Sequence, residues 1–226
     1  MHPLLTLAHE TATCLERIDI ADADRTLRDA FVADLRDVSD PEPNSNAATA
    51  RTVRGLRHAP TALAAMPDLT STLSSELAGA ARAAFGHVRW TEFYAADPWS
   101  ETFLPEFANG EGIGPDGALA SDRMILGLFV LGPDTLYPAH AHPAEEFYLT
   151  LSGTPSFQIG ATKPFVPKPP GAVAWHGSNV SHAIRTGPEP FLAVFGWRGA
   201  IKERSWYRDD MTDPSLPVRY PTIAKE

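Results

Sequence analysis

Positions 140, 142, 146 and 148 of this chain carry two imidazoles, a carboxylate and a phenol, in the run His140-Ala-His142-Pro-Ala-Glu145-Glu146-Phe-Tyr148. All four share one parity. Successive side chains of a β-strand point to opposite faces, so a strand through this run puts the four groups on one side of a sheet, with Pro143 a point where a bulge would change the details. Phe147, Leu149 and Leu151 alternate with them and belong to a packing layer on the other face. Further along, the fragment Pro169-Pro170-Gly171-Ala-Val-Ala-Trp175-His176-Gly-Ser-Asn179-Val-Ser-His182 supplies another imidazole, His182, from a later strand. Three imidazoles and a carboxylate suit a borderline divalent ion, with zinc the first choice and Fe, Mn, Co or Ni as alternatives, leaving positions open for water or substrate. A lone His-x-His is more often a pair of surface histidines; the same-face Glu146 and the later His182 argue for ligands instead. His176, six residues before His182, competes with it and is read as a donor supporting the ligands from behind.

Tyr148 has two readings. Buried tyrosines in strands are common, and their hydroxyls find partners in the core. Yet Tyr148 shares the ligand face two residues beyond Glu146, near enough for a cation to stabilise a phenolate. A free phenol titrates near pH ~10, so that charge must lower it before it serves as a base at neutral pH.

The elements that must position these groups fall into a helical front and a β-rich remainder. Apolar residues at Leu4, Leu7, Ala8, Leu15 and Ile18, then Leu27, Phe31 and Leu35, have helical spacing, broken near Asp22, with Thr11 a polar interruption of the first stripe. Residues 39–46, with Pro41 and Pro43, are a connector. A further helix is predicted over 69–85, capped by Asp68 or Thr70 and stopped at Gly86. Beyond it, short β-rich runs at 87–94, 124–131, 146–151, 155–159 and 191–197 are separated by Gly and Pro, as in an antiparallel barrel or jelly roll. Residues 100–122 show no period and are read as a long loop, of the kind that often forms a lid. The tail from Glu203 reads as an irregular wrap. The expected organisation is a helical extension, 1–89, packed on a barrel, 90–226, as one structural unit; the helices cover a barrel edge or build a homodimer interface.

A chain of 226 residues can bury roughly 70% of the surface its unfolded form exposes. A net charge of −9 without a basic stripe argues against nucleic acid. Cys14 is the sole cysteine, no apolar run approaches the ~18 residues of a membrane span, and nothing at the N-terminus reads as a signal peptide, so a cytoplasmic protein is expected.

Gly132, His140-x-His142-x-x-x-Glu146 and Gly153 together resemble the first cupin motif, with a longer gap after Gly132 than usual. Pro170-Gly171 and His182 resemble the second. More narrowly, the block from Leu131 through Tyr137 and Tyr148 to Gly153, then His176 to Thr186, then Glu189 to Trp197, resembles the cupin-type lyases that split dimethylsulfoniopropionate, the DddL and DddQ group, with the length and helical front closest to the DddL branch. The resemblance is specific over residues 123–199. It implies a mainly β cupin jelly roll with an N-terminal helical region, one divalent metal on His140, His142, Glu146 and His182, and a small zwitterionic substrate. It also implies Tyr148 as base and Tyr137 beside the substrate. Among the remaining aromatics, Trp197 and Trp175 are the candidates to face a sulfonium, which aromatic rings attract without quenching its charge. Alternatives are an Fe(II) cupin dioxygenase, a metal-dependent isomerase, and a non-catalytic cupin that binds a metabolite.

Overall fold

The structure is a computed structural model that describes residues 1–38, 42–45, 53–67 and 74–224. Helix α1, Pro3–Arg17, opens with Pro3 in its first turn, where a missing N–H costs nothing, and with His2 Nδ1 accepting from Leu4 N at 3.2 Å. Of the stripe predicted for it, Leu4, Leu7, Ala8 and Leu15 are buried, as is Thr11, whose hydroxyl has no partner, while Ile18 lies just past the helix end and is half-buried. The chain breaks at Ile18 and resumes as α2, Asp22–Asp37. A short α3, Ala59–Ala64, follows. Helix α4 spans Ser75–Ala84, capped by Ser74 accepting from Leu77 N at 3.1 Å. That corrects the predicted start at 69: Ser74 supplies the capping oxygen, and the caps proposed at Asp68 and Thr70 lie outside the described residues, as does much of the 39–46 connector.

Eleven strands are described: β1 Arg89–Thr91, β2 Phe107–Gly114, β3 Leu119–Ala120, β4 Met124–Leu131, β5 Leu136–His140, β6 Glu145–Ser152, β7 Ser156–Ile159, β8 Val166–Pro167, β9 Val173–His176, β10 His182–Arg185 and β11 Phe191–Arg198. They form two sheets, one ordered β1-β2-β4-β11-β6-β9 with β3 beside β2, the other β5-β10-β7-β8. All the pairings are antiparallel except β2 with β3. The large sheet has two apolar faces, as the alternation in its strands dictates. On one, Leu126, Leu128, Val130, Phe147, Leu149, Leu192 and Val194 join Leu4, Leu7, Leu15, Phe31 and Leu77 of the helices in a single core. Phe31 meets Phe147 edge-on at 4.9 Å; burying such a ring contributes about 2–3 kcal/mol. Arg198 of β11 ties α2 to the sheet through Asp34 at 2.8 Å and Glu145 at 2.5 Å. On the other face, Phe129, Tyr148 and Phe195 pack toward Tyr137, Phe157 and Ile184 of the small sheet.

The region read as a loop, 100–122, contains β2, paired along its length with β4. The error has a physical cause. On the helical side β2 presents Gly110 and Gly112, where a Cβ would press on Trp90 at 2.7 Å and on Leu4 at 2.6 Å; on the other side it presents Asn109 and Glu111 to a cavity. A strand with glycines on one face and polar residues on the other has no hydrophobic period to detect. Across from it, Gly127 of β4 has no room for a side chain: a Cβ would collide with the Gly110 carbonyl oxygen and sit 2.7 Å from Phe195 Cε1. Gly127→Ala is therefore expected to cost about 2 kcal/mol or more, read as a lower chemical-denaturation midpoint at unchanged slope. An unaltered midpoint would mean that β2 and β4 are less tightly apposed than this.

The tail after Arg198 is irregular and wraps back, with isolated bridges Ala141 to Trp206 and Tyr94 to Ile223. Among the described residues no helix is long and apolar enough to cross a membrane.

Candidate active site

The two sheets bring the polar residues of the 140–148 run and of the later strands to one point. His140 closes β5 and His182 opens β10, directly opposite each other in register, with rings 4.3 Å apart. His142 follows β5. Glu146 faces them from β6 of the large sheet, where its cross-strand partners are Trp197 and His176. The ligand atoms of His140, His142 and His182 lie within 4.8 Å of one another, as do those of Glu146, His176 and His182. All five residues are buried.

Hydrogen bonds fix the orientation of each ring. Nδ1–H of His140 donates to Pro138 O at 2.8 Å, that of His142 to Ala144 O at 2.9 Å, and that of His182 to Val180 O at 2.9 Å. Each bond leaves Nε2 as a lone pair, the arrangement that orients histidines toward a metal. Glu146 Oε2 lies 3.2 Å from His142 Nε2 and 3.3 Å from His182 Nε2. His176 approaches the same oxygen through Nδ1 at 3.2 Å, and its ring stacks on His182 at 4.1 Å. The other oxygen, Oε1, accepts from Trp197 Nε1 at 2.5 Å.

The electrostatics of the cluster suit a cation. Burial, then the neighbouring His182 and His142, hold His140 well below the ordinary imidazole range, and burial takes His176 down to about 3. Burial works against the Glu146 carboxylate; the charge of His142 and donation from His142 or His176, available only when the nitrogen facing the carboxylate carries a proton, hold it ionised, well below its ordinary range. A buried anion among neutral rings is costly unless a positive charge joins it. Nε2 of both His176 and His182 is buried without a hydrogen-bond partner. The donor set fits a divalent transition ion.

A cavity of about 430 Å³ opens beside this cluster, within the range of small-molecule sites. His140, Glu146, Tyr137, Tyr148, Trp197 and Phe195 line its deep end. Tyr148 is buried, edge-on to Phe129 at 5.2 Å; burial, then the charge of Glu146, push its hydroxyl well above the ordinary phenol range. Tyr137 lies with its ring 4.4 Å from that of His140 and shares a 2.7 Å hydroxyl contact with Tyr94. Trp175, expected to face the substrate, does not reach the cavity. It is the register partner of Phe147, so it points to the helical side and packs against Phe31 and Phe147. Arg89, Asn109 and Glu111 line the cavity without having been singled out. Strand parity in β2 was the available signal for two of them, and its missing hydrophobic period concealed it.

Two facing antiparallel sheets with a His/His/Glu/His cluster on their inner faces define a cupin. The chain belongs to the dimethylsulfoniopropionate lyase family of carbon–sulfur lyases, whose model matches residues 29–193, well into the helical front. It is 34% identical over 136 residues to dimethylsulfoniopropionate lyase DddQ of Ruegeria pomeroyi, covering 60% of this chain and 67% of that one. It is 31% identical over 142 residues to a protein of Cereibacter sphaeroides named as a candidate lyase DddL, covering 62% of this chain but 55% of that longer relative. The crystal structure of the Ruegeria pomeroyi DddQ superposes with a TM-score of 0.63 at 27% identity, over 81% of this chain and 91% of the other.

Proposed function

We propose that this cavity cleaves dimethylsulfoniopropionate to dimethyl sulfide and acrylate by β-elimination, with Tyr148 as the base. The observation that carries the reading is the juxtaposition of Tyr148, on the same strand face as Glu146, with the three-histidine cluster at the deep end of one cavity. A divalent ion, zinc by preference, held by His140, His142, Glu146 and His182 would supply Lewis-acid polarisation of the substrate carboxylate and so acidify the adjacent Cα–H. The Tyr148 oxygen takes that proton. The freed electron pair forms the Cα–Cβ double bond, the Cβ–S bond breaks with its electrons passing to sulfur, and dimethyl sulfide leaves as a neutral molecule that needs no acid to assist it. Trp197 holds Glu146 Oε1 and presents its indole to the cavity, where an aromatic face attracts a sulfonium by about 0.5–2 kcal/mol. Tyr137, anchored by Tyr94, walls the deep end and restricts the substrate to an orientation in which Cα faces Tyr148. His176 supports Glu146 from behind.

Headspace detection of dimethyl sulfide from purified, metal-loaded protein in an anaerobic chamber tests the reading. Dimethyl sulfide and acrylate are expected in equal amounts and without oxygen. Stoichiometric oxygen uptake, with activity that vanishes anaerobically, would replace the lyase by a dioxygenase, and inertness with Zn, Fe, Mn, Co and Ni alike would leave a binding protein.

A further inference from the structure

The cavity has a second polar end that the elimination does not use. Glu111 of β2 lines it, together with Arg89, Asn109 and Asp116. The Glu111 side chain folds over Gly114: Oε1 accepts from Asp116 N at 2.7 Å, and a Cβ at Gly114 would strike that oxygen and sit 3.1 Å from Ile125 Cγ1. Ile125 is the register partner of Trp197, and Trp197 is the partner of Glu146. The carboxylate of Glu111 therefore lies over the strand next to Trp197, on the side away from Glu146. Two strand spacings, about 10 Å, separate Ile125 from Glu146. An extended carboxylate, two-carbon chain and onium head with its methyl groups measures about 7 Å between outermost atoms, and fills such a row when its two ends are in van der Waals contact.

We infer that Glu111 is the counter-charge that selects a cationic head group, so that a substrate lies along this row with its carboxylate at the histidine cluster and its onium between Trp197 and Glu111. The inference rests on the reading of the site as one for a sulfonium carboxylate and adds the residue that reads the charge. The other charged groups facing Glu111 do not take over this role. Arg89, its partner on β1, has the same sign as the ligand, and its Nε is buried without a hydrogen-bond partner. Glu92 is engaged by Arg54 at 2.8 Å. Asp116 is exposed at the turn. Strand β4 presents Ile125, Gly127 and Phe129 on this side, none of them charged. Burial, with the charge of Asp116, pushes the Glu111 carboxyl up to about 7 against the N–H donors of Asp116 and Gly117, so its charge is present above neutral pH and lost below it.

The test is the ratio of two affinities, measured calorimetrically on the zinc-loaded protein: the trimethylammonium propanoate zwitterion against its carbon isostere, which has the same shape and carboxylate but no cation. The wild type at roughly pH 8 is expected to prefer the zwitterion about tenfold, the scale of a charge pair at an effective dielectric of about 20 discounted for water in the cavity. The preference should shrink as pH falls to roughly 6, because the carboxyl protonates. Glu111→Gln keeps the oxygen that accepts from Asp116 N while removing the charge, and should leave a preference of about twofold, from the aromatic ring alone and independent of pH. An undiminished preference in Glu111→Gln, or a wild-type preference that is flat with pH, overturns the assignment. Dimethyl sulfide release separates this result from the lyase reading: release without a Glu111-dependent preference sinks only the inference, and a Glu111-dependent preference without release sinks only the lyase.

Discussion

Tyr148→Phe is expected to lower turnover by about 100-fold or more, the range for removing a general base, while bound metal and fold are kept. The substitution is conservative in packing. The ring lies among Phe129, Phe157 and Phe195, and phenylalanine retains all of those contacts. What is lost is one oxygen, which burial and the charge of Glu146 hold in its protonated form when no cation is near. A cation among the histidines acts in the opposite direction on the same oxygen, which is why the phenol and the metal site must be adjacent for either to be useful. The measurement is dimethyl sulfide released per metal-loaded subunit, with thermal unfolding as the control for structure. In the wild type, substrate deuterated at Cα should react more slowly wherever chemistry limits the rate. Retained turnover in the phenylalanine variant would return Tyr148 to a structural role and direct attention to Tyr137, whose ring lies 4.4 Å from that of His140.

Local chemistry in the sequence pointed to the cluster, but the single strand expected through 140–148 is not what brings it together. Parity holds within β6, where Glu146 and Tyr148 face the cavity and Phe147, Leu149 and Leu151 the opposite core. His140 ends β5 in the other sheet and His142 lies in the bend between the two strands, so the histidines meet Glu146 from across the two sheets. His182 was legible through the cupin-like spacing, and the structure sets it directly opposite His140. The same logic applied to Trp175 gives the other answer: one residue from His176, it must point the opposite way, although the affinity of aromatic rings for a sulfonium had suggested the cavity. The 100–122 segment failed for a different reason. Its glycines exist to let α1 and Trp90 close on the sheet, a long-range demand that leaves no local pattern, and its polar side chains serve the cavity instead of a core. The far end of the site, with Glu111 and Arg89, was hidden by the same failure, since a strand not recognised has no inward face to read.

The metal-binding variants separate His182 from His176, the pair that sequence spacing alone leaves in competition. His182→Ala is expected to reduce metal affinity by more than about 100-fold, so that the purified variant carries little metal, whereas His176→Ala should still load one ion per chain with a loss of about tenfold. Hydrogen bonds separate the two rings. His182 has Nδ1 committed to Val180 O, like the corresponding bonds of His140 and His142, and its Nε2 meets the same small space as theirs. His176 instead turns Nδ1 toward Glu146 Oε2, and from β9 it acts on the carboxylate's position. Elemental analysis of the purified variants and a competing-chelator titration supply the two numbers. Should His176→Ala empty the site while His182→Ala stays fully loaded, the two residues exchange roles: His176 becomes the fourth ligand, and His182 the stacked ring that supports it.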